Sequence, residues 1–147
     1  DGKKWGKRLK CPRFKGKISE AVLNSTHVFL AGNDKGGVLK ASEFKNGAWT
    51  DKTELDTGAG NSILSASGDC VFCFYVKKNG DTYEVRYRRW KNGTWEESEL
   101  IASEDFRINH VAAPVKCPPE YAAVWWDEFK TRRKKETKLR FAKIVNK

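Results

Sequence analysis

The sequence predicts an all-β fold of the propeller type, in which four-stranded antiparallel sheets repeat along the chain. An Asn-Gly turn flanked by aromatic residues occurs at residues 90–95 (WKNGTW) and, 46 residues earlier, at residues 44–49 (FKNGAW). Short apolar or alternating runs recur between turn residues, and no stretch shows the pattern of a capped amphipathic helix. Four strands in about 46 residues is typical of one propeller blade. The alternative is a β-sandwich with unrelated Asn-Gly turns.

The first predicted blade covers residues 18–55. Its most apolar strand, residues 28–31 (VFLA), is expected to be buried on both faces. Both central residues of an Asn-Gly pair tolerate positive φ, so residues 46–47 are expected to turn the third strand into the fourth. The remaining strands are predicted at residues 18–23, 38–44 and 49–55.

The second predicted blade covers residues 62–101. Residues 70–76 are almost entirely apolar, which indicates a buried strand. Residues 82–90 alternate apolar with charged side chains at Tyr83, Val85 and Tyr87, the period of a half-buried strand. The first and last strands are predicted at residues 62–66 and 95–101.

The third predicted blade, residues 108–144, contains three strands and lacks a fourth. Residues 5–10 resemble an isolated fourth strand, and joining the end of the chain to its beginning reproduces the turn pattern of residues 90–95. We therefore expect residues 5–10 to pair with residues 139–144 of some blade. The predicted assembly residues are Trp5, Leu9, Leu139 and Phe141.

Three blades are too few for a closed ring, since propellers have about four to eight. Two chains that exchange N-terminal strands would close a six-bladed ring with two-fold symmetry. The same exchange without closure would give a filament. The third possibility is that the polypeptide is one piece of a longer propeller chain.

Composition and charge limit the function classes. Six tryptophans and 12% aromatic residues favour a folded chain over a disordered tail, although 33% of the residues are charged. The net charge of +10 is concentrated at the ends: residues 1–17 carry +7, residues 130–147 carry +8 and residues 18–129 carry −5. No apolar run is long enough to predict a membrane span.

A basic loop at residues 130–138 is a candidate contact for an anionic polymer. A solvated loop is the usual reading of such a run, and nucleic acid is not expected because aromatic residues are not interleaved with the charges. The candidate contacts are Lys130, Arg132, Arg133, Lys134 and Lys135.

Cysteines and glycosylation sequons favour an extracellular or cell-surface location. The four cysteines, Cys11, Cys70, Cys73 and Cys117, are predicted to form two disulfides of open connectivity. The asparagines of two sequons, Asn24 and Asn92, are candidate glycosylation sites. The start at Asp1 and the lack of methionine suggest a processed or excised form. The Cys-x-x-Cys spacing has no second pair to complete a zinc site, so no metal is expected.

Residues 87–95 (YRRWKNGTW), followed by a polar strand at residues 96–101, resemble the Asp-box repeats of sialidase-like propellers. Residues 124–127 (VWWD) are similar to their strand ends, and the short blades are similar to those of fucose-binding lectin propellers. Residues 42–49 (SEFKNGAW) depart from the Asp-box pattern, because Phe44 stands where the aspartate belongs. The resemblance implies an arginine triad, a tyrosine–glutamate nucleophile pair and an acid/base aspartate for an active sialidase. That set cannot be assigned here.

The sequence therefore predicts a non-catalytic, cofactor-free binding module, with glycan as the expected ligand. A flat aromatic ring beside hydrogen-bonding groups suits a sugar pocket between blades. The candidate ligand residues are Trp90, Arg88, Glu84 and Trp126. Alternative functions are a structural subunit of an extracellular filament or surface layer, and an excised fragment of a sialidase-like glycosidase.

Overall fold

The computed structural model describes residues 10–24, 26–130 and 136–146, with the backbone alone for residues 128–130 and 136. Within these ranges the chain consists of β-strands and loops, with one short 3-10 turn at Lys35–Gly37 and no α-helix. The all-β prediction is confirmed. The strands form three separate sheets, none of which closes on itself. The propeller and its blade number remain predictions.

Sheet 1 is an antiparallel meander built from the first part of the chain. Its strands are β1 (Ile18–Asn24), β2 (His27–Asn33), β3 (Leu39–Lys45), β4 (Ala48–Trp49) and β5 (Thr53–Asp56). The order is β1-β2-β3, and both β4 and β5 pair with β3. The predicted strand 49–55 is thus split in two, because the chain bulges where Thr50 N donates a 2.8 Å hydrogen bond to Glu43 O.

Sheet 2 repeats this arrangement. Its strands are β6 (Ala59–Ser67), β7 (Cys70–Asn79), β8 (Thr82–Lys91), β9 (Thr94–Trp95) and β10 (Glu99–Glu104). Both β9 and β10 pair with β8, and a bulge joins Glu96 N to Arg89 O at 2.7 Å. The predicted strand 95–101 is therefore split at the same place as its counterpart in sheet 1.

Sheet 3 has three antiparallel strands, β11 (Arg107–Ala112), β13 (Tyr121–Lys130) and β14 (Glu136–Val145), in the order β11-β13-β14. In the chain, β12 (Lys116–Cys117) lies between β11 and β13, but it pairs in parallel with β6 at the edge of sheet 2. No further strand pairs with β14 among the described residues. Residues 5–9, which include Trp5 and Leu9, lie outside those residues, and Lys10 is not in a strand.

Sheet 2 packs between the other two sheets, because β7 is apolar on both faces. Val71, Cys73 and Tyr75 belong to the core shared with sheet 1. Phe72 and Phe74 belong to the core shared with sheet 3 and are 0% exposed. Alternation along one dense apolar strand thus supplies two cores at once.

The outer faces of sheets 1 and 3 expose apolar side chains. On sheet 3, Leu139 is 72% exposed and Phe141 is 63% exposed. On sheet 1, Ile18 and Val22 are each about half exposed. The stack of three sheets therefore ends in two partly apolar surfaces.

The predicted disulfides are wrong, since all four cysteines are free in the structure. Cys70 and Cys73 lie three residues apart on β7 and point to opposite faces. Cys117 is separated from both by β6, two strand spacings or about 9–10 Å, which exceeds the reach of a disulfide. Cys11 is exposed, whereas the other three cysteines are buried.

The two sequon asparagines are exposed. Asn24 Oδ1 accepts hydrogen bonds from the backbone and the hydroxyl of Thr26, both at 3.0 Å. Asn92 lies in the hairpin turn with φ of 52°. No helix among the described residues has the length and hydropathy to cross a membrane.

Candidate functional site

Sheets 1 and 2 each contain an Asn-Gly hairpin, and the two hairpins have the same geometry. Asn46 and Gly47 have φ of 52° and 80°, and Asn92 and Gly93 have φ of 52° and 89°. Positive φ at both central residues is the type I′ geometry that the Asn-Gly sequence favours. The second hairpin places Trp95 opposite Trp90.

A cavity of about 290 Å³, here called the inter-sheet cleft, lies beside these hairpins between sheets 1 and 2. It is lined from sheet 2 by Arg88, Trp90 and Trp95, and from sheet 1 and its bulge by Glu43, Thr50 and Thr53, among others. The side chains of alternate residues point to the same face of a strand, so Arg88 and Trp90 both face sheet 1.

Two tryptophans form the aromatic wall of the cleft. Trp90 is 7% exposed, and its ring centroid lies 4.9 Å from Phe29 and 5.1 Å from His27. Trp95 is only partly buried and lies 6.2 Å from Phe29. Trp90 is therefore mainly a core residue, whereas Trp95 presents the more accessible ring.

Arg88 has hydrogen-bonding capacity that the described residues do not use. Its Nη1 donates a 3.3 Å bond to Glu96 O, and its Nη2 lies 3.8 Å from the exposed carboxylate of Glu97. Its Nε is buried with no hydrogen-bond partner among the described residues. A guanidinium has five N–H donors, and the Arg88 side chain as a whole is 21% exposed, so its accessible N–H groups can donate to a ligand oxygen in the cleft.

Glu43 supplies a hydrogen-bond acceptor from the opposite wall. Its Oε2 lies 2.8 Å from His27 Nε2, and its Oε1 accepts a 2.9 Å bond from Lys45 Nζ. Burial alone would raise the pKa of Glu43, but these two hydrogen bonds together hold that pKa below its ordinary value of 4.5. The side chain is therefore ionised at neutral pH.

The structure separates the four predicted ligand residues. Trp90 and Arg88 line the inter-sheet cleft. Glu84 faces the same way as these two residues but lies six residues before Trp90 on β8, about 20 Å from it. Its carboxylate accepts hydrogen bonds from the side chains of Asn79 and Arg86, each 2.8 Å long. Trp126 is buried in the core between sheets 2 and 3. These last two residues do not contribute to the cleft.

The cleft contains residues that the sequence did not single out as ligand contacts, above all Trp95, Glu43 and Thr50. Trp95 carries a sequence signal, because it follows the turn motif directly. Glu43 does not, since its place beside Arg88 depends on how sheet 1 packs on sheet 2.

The other predicted contacts are widely dispersed. Leu139 and Phe141 lie on the outer face of sheet 3, far from the cleft in the sheet order. Lys130 ends β13, but its side chain lies outside the described part of the chain. Four further candidates lie wholly outside the described part of the chain: Arg132, Arg133, Lys134 and Lys135.

In the part of the chain that the structure describes, no three His, Cys, Asp or Glu side chains are grouped so that they could hold a metal ion. Searches against protein-family models, curated proteins and solved structures find no match to this chain. The chemistry of the cleft is therefore the basis for assigning a function.

Proposed function

We propose that this chain is an extracellular, non-catalytic binding module of the propeller type that holds a glycan in the inter-sheet cleft. The proposal depends on one observation: the cleft places the partly exposed ring of Trp95 beside the incompletely bonded guanidinium of Arg88 and the ionised carboxylate of Glu43. An apolar platform with a few convergent polar groups suits a sugar, which has apolar C–H faces and hydroxyls at its edge.

Hydroxyl groups extend this polar edge. Thr50 Oγ1 accepts a 3.1 Å bond from Glu43 N, and a hydroxyl that accepts can still donate its own proton to a ligand. Thr53 adds a further hydroxyl at the rim. Donors and acceptors thus converge on one small volume from both sheets.

A glycan array probed with the full chain tests the proposal, and isothermal titration calorimetry of the hits measures their affinity. We expect Arg88→Ala to weaken binding at least about tenfold, since a hydrogen bond to a charged group contributes about 1.5–3 kcal/mol. Trp95→Ala removes the apolar platform and should weaken binding by a similar factor. Trp49→Ala is the matched control, because Trp49 holds the equivalent place in the hairpin of sheet 1.

Glu84→Gln is a second control, since Glu84 lies outside the cleft, and it is expected to leave affinity unchanged. The absence of any array hit would count against glycan binding. A hit whose affinity resists both cleft variants but falls with Trp49→Ala would place the site elsewhere.

A second candidate function is a structural, self-assembling subunit. The observation that favours it is that β14 is an edge strand among the described residues and exposes the apolar side chains of Leu139, Phe141 and Val145. Exposed strand edges and apolar patches are typical association surfaces. Deletion of residues 1–10 should then abolish oligomers in sedimentation velocity, and electron microscopy would distinguish a ring from a filament. A truncated chain that stays folded and oligomeric would contradict strand exchange.

A further inference from the structure

A second and larger cavity, of about 490 Å³, lies at the end of the stack where β6 and β11 begin. We call it the three-sheet cavity, because its lining includes residues of all three sheets or of the segments that lead into them. It is distinct from the inter-sheet cleft, with which it shares no lining residue.

One cation from each sheet lines this cavity. Lys17 immediately precedes β1, Lys78 lies on β7 and Arg107 begins β11. All three are exposed, and none has an ion-pair partner among the described residues. The cavity lining contains no acidic residue in the part of the chain that the structure describes.

This arrangement contrasts with the charges around it. Residues 18–129 carry a net charge of −5, and neighbouring lysines of that region are paired: Lys77 with Asp56 at 2.6 Å and Lys52 with Asp34 at 2.8 Å. Three unpaired cations that line one concave volume raise its positive potential, which attracts an anion.

The backbone of the cavity wall is shaped by two β-bulges. The register of β6 shifts between Ala59 and Ser62, and that of β11 shifts between Ile108 and Val111. Each bulge carries an asparagine, Asn61 or Asn109, that lines the cavity. Bulges are enriched beside functional sites, where they redirect side chains out of the ladder.

Asparagine amides hold the sheets together at the same place. Asn33 Nδ2 donates to the carbonyl oxygens of Ala59 at 2.7 Å and Gly60 at 3.1 Å, which joins sheet 1 to sheet 2. Asn61 Nδ2 donates to Asn109 O, which joins sheet 2 to sheet 3. The wall is thus fixed by hydrogen bonds before any ligand enters.

We propose that the three-sheet cavity binds a small ligand that bears an oxyanion, namely a carboxylate, sulfate or phosphate group. Lys17, Lys78 and Arg107 bind the oxyanion, and the polar groups of Ser62 and Tyr83 on the same wall bind the remainder of the ligand. The site is independent of the glycan proposal, so either can fail without the other.

Isothermal titration calorimetry at constant ionic strength tests the proposal, with inorganic phosphate, sulfate and citrate as separate probes and chloride as the background anion. We expect saturable binding of at least one probe. The double variant Lys78→Gln/Arg107→Gln should weaken it at least about tenfold, because each substitution removes a charge-assisted hydrogen bond.

The matched control is Lys116→Gln/Arg13→Gln, which also removes one lysine and one arginine charge, but from exposed positions outside the cavity. It should change affinity less than about twofold, as expected for screened surface charges. Arg107→Lys keeps the positive charge but loses the planar guanidinium, so its affinity for the anion should lie between those of the double variant and the control.

Circular dichroism establishes that each variant is folded. Comparison of the three probes distinguishes a carboxylate ligand from a sulfate or phosphate ligand. Failure of all three to saturate would overturn the proposal, and so would equal weakening by the control pair, since both results would leave only unspecific attraction to a basic protein.

Discussion

Sheet 2 carries an Asn-Gly hairpin and a split fourth strand beyond β8, whereas sheet 3 ends at β14 within the described residues. Both faces of sheet 2 are covered, and seven consecutive residues of β7, Cys70 to Val76, are buried. Sheet 3 buries Val124 and Trp126 on one face and exposes Phe141 on the other. Sheets 2 and 3 thus differ both in strand number and in how much of their surface is covered.

The contrast shows which part of the molecule supplies stability and which part offers surface. A strand buried on both faces contributes twice to the cores, while an exposed sheet face contributes little until something covers it. The inter-sheet cleft and the three-sheet cavity both lie at the borders of sheet 2, where the backbone is held on two sides.

The largest test of this contrast uses two phenylalanines. Phe72→Ala, in sheet 2, should lower the free energy of unfolding by about 3–5 kcal/mol, because the side chain is fully buried. Phe141→Ala, in sheet 3, should change it by less than about 0.5 kcal/mol in dilute solution, since that side chain is 63% exposed. Urea unfolding monitored by tryptophan fluorescence measures both.

Equal losses for the two phenylalanine variants at low protein concentration would contradict the assigned difference in coverage. A loss for Phe141→Ala that appears only at high protein concentration would instead show that a second copy covers the outer face of sheet 3.

The reactivity of the cysteine thiols gives a chemical measure of how well β7 is buried in sheet 2. Burial raises the pKa of the Cys73 thiol from 9.0 to about 12 and that of Cys70 to about 11. The thiolate fraction of Cys73 near pH 8 is thereby about a thousandfold lower than for an ordinary thiol, since each pKa unit is a factor of ten. Titration of the native, unreduced chain with a disulfide reagent should show one fast equivalent, Cys11, and three slow ones.

The Cys11→Ser variant should remove the fast phase and leave the slow phase intact. Fewer than four thiols in denaturant, without reductant, would show that disulfides form after all. Persistence of a fast phase in Cys11→Ser would show that one of the buried thiols is accessible.

Local rules predicted much of this fold. The type I′ turns at Asn46 and Asn92 follow from the Asn-Gly pair, and the burial of Val85 and Tyr87 on one face of β8 follows from its alternation. The opposite directions of Cys70 and Cys73 also follow from strand geometry, which conflicts with the one pairing that joins these two cysteines but not with the other two connectivities.

The site could be predicted only in part, because it depends on how two sheets meet. Arg88 and Trp90 were identified from their aromatic and charged neighbours on one strand. Glu84 shares their face but lies too far along β8. For an adjacent pair such as Trp125 and Trp126, alternation shows that the rings point apart but not which ring enters the core. Glu43 reaches the cleft only through the packing of sheet 1.

A smaller effect on the free energy of unfolding is expected at Asp56, on the border between sheets 1 and 2. Its carboxylate accepts hydrogen bonds from Tyr75 Oη at 2.7 Å and Lys77 Nζ at 2.6 Å, so it ties the end of β5 to β7. Asp56→Asn should lower the free energy of unfolding by about 1–3 kcal/mol at pH 7. Glu54→Gln, an exposed acid two residues earlier, is the matched control and should have almost no effect.

The effect of Asp56 depends on pH. Burial would raise the pKa of Asp56, but the hydrogen bonds from Lys77 and Tyr75 hold it below 3.8. A depressed pKa stabilises the fold above the unfolded-state value and loses that contribution as pH falls through the folded-state value. Wild type and Asp56→Asn should therefore converge in stability as the pH is lowered from about 4 toward 2. If the stability difference between wild type and Asp56→Asn stayed constant across that pH range, the ionised carboxylate of Asp56 would not be the source of the stabilisation.

The smallest effect concerns the hairpin that sheet 2 has and sheet 3 lacks in the described residues. Gly93 has φ of 89°, and a Cβ added there would meet nothing within 4 Å. Gly93→Ala should therefore cost only the conformational penalty of the left-handed region, about 1 kcal/mol, measured by urea unfolding. Gly47→Ala should cost the same, because its φ of 80° and its open surroundings match.

Gly60→Ala is the control for this pair. An added Cβ there would be 3.5 Å from Val76 O, an ordinary contact, and no positive φ is required. That variant should be neutral or slightly stabilising, because alanine narrows the unfolded ensemble. If one of Gly93→Ala and Gly47→Ala cost about 1 kcal/mol and the other cost nothing, the two hairpins would not be equivalent copies. The hairpin expected for sheet 3, which lies outside the described residues, could then no longer be inferred from the other two sheets.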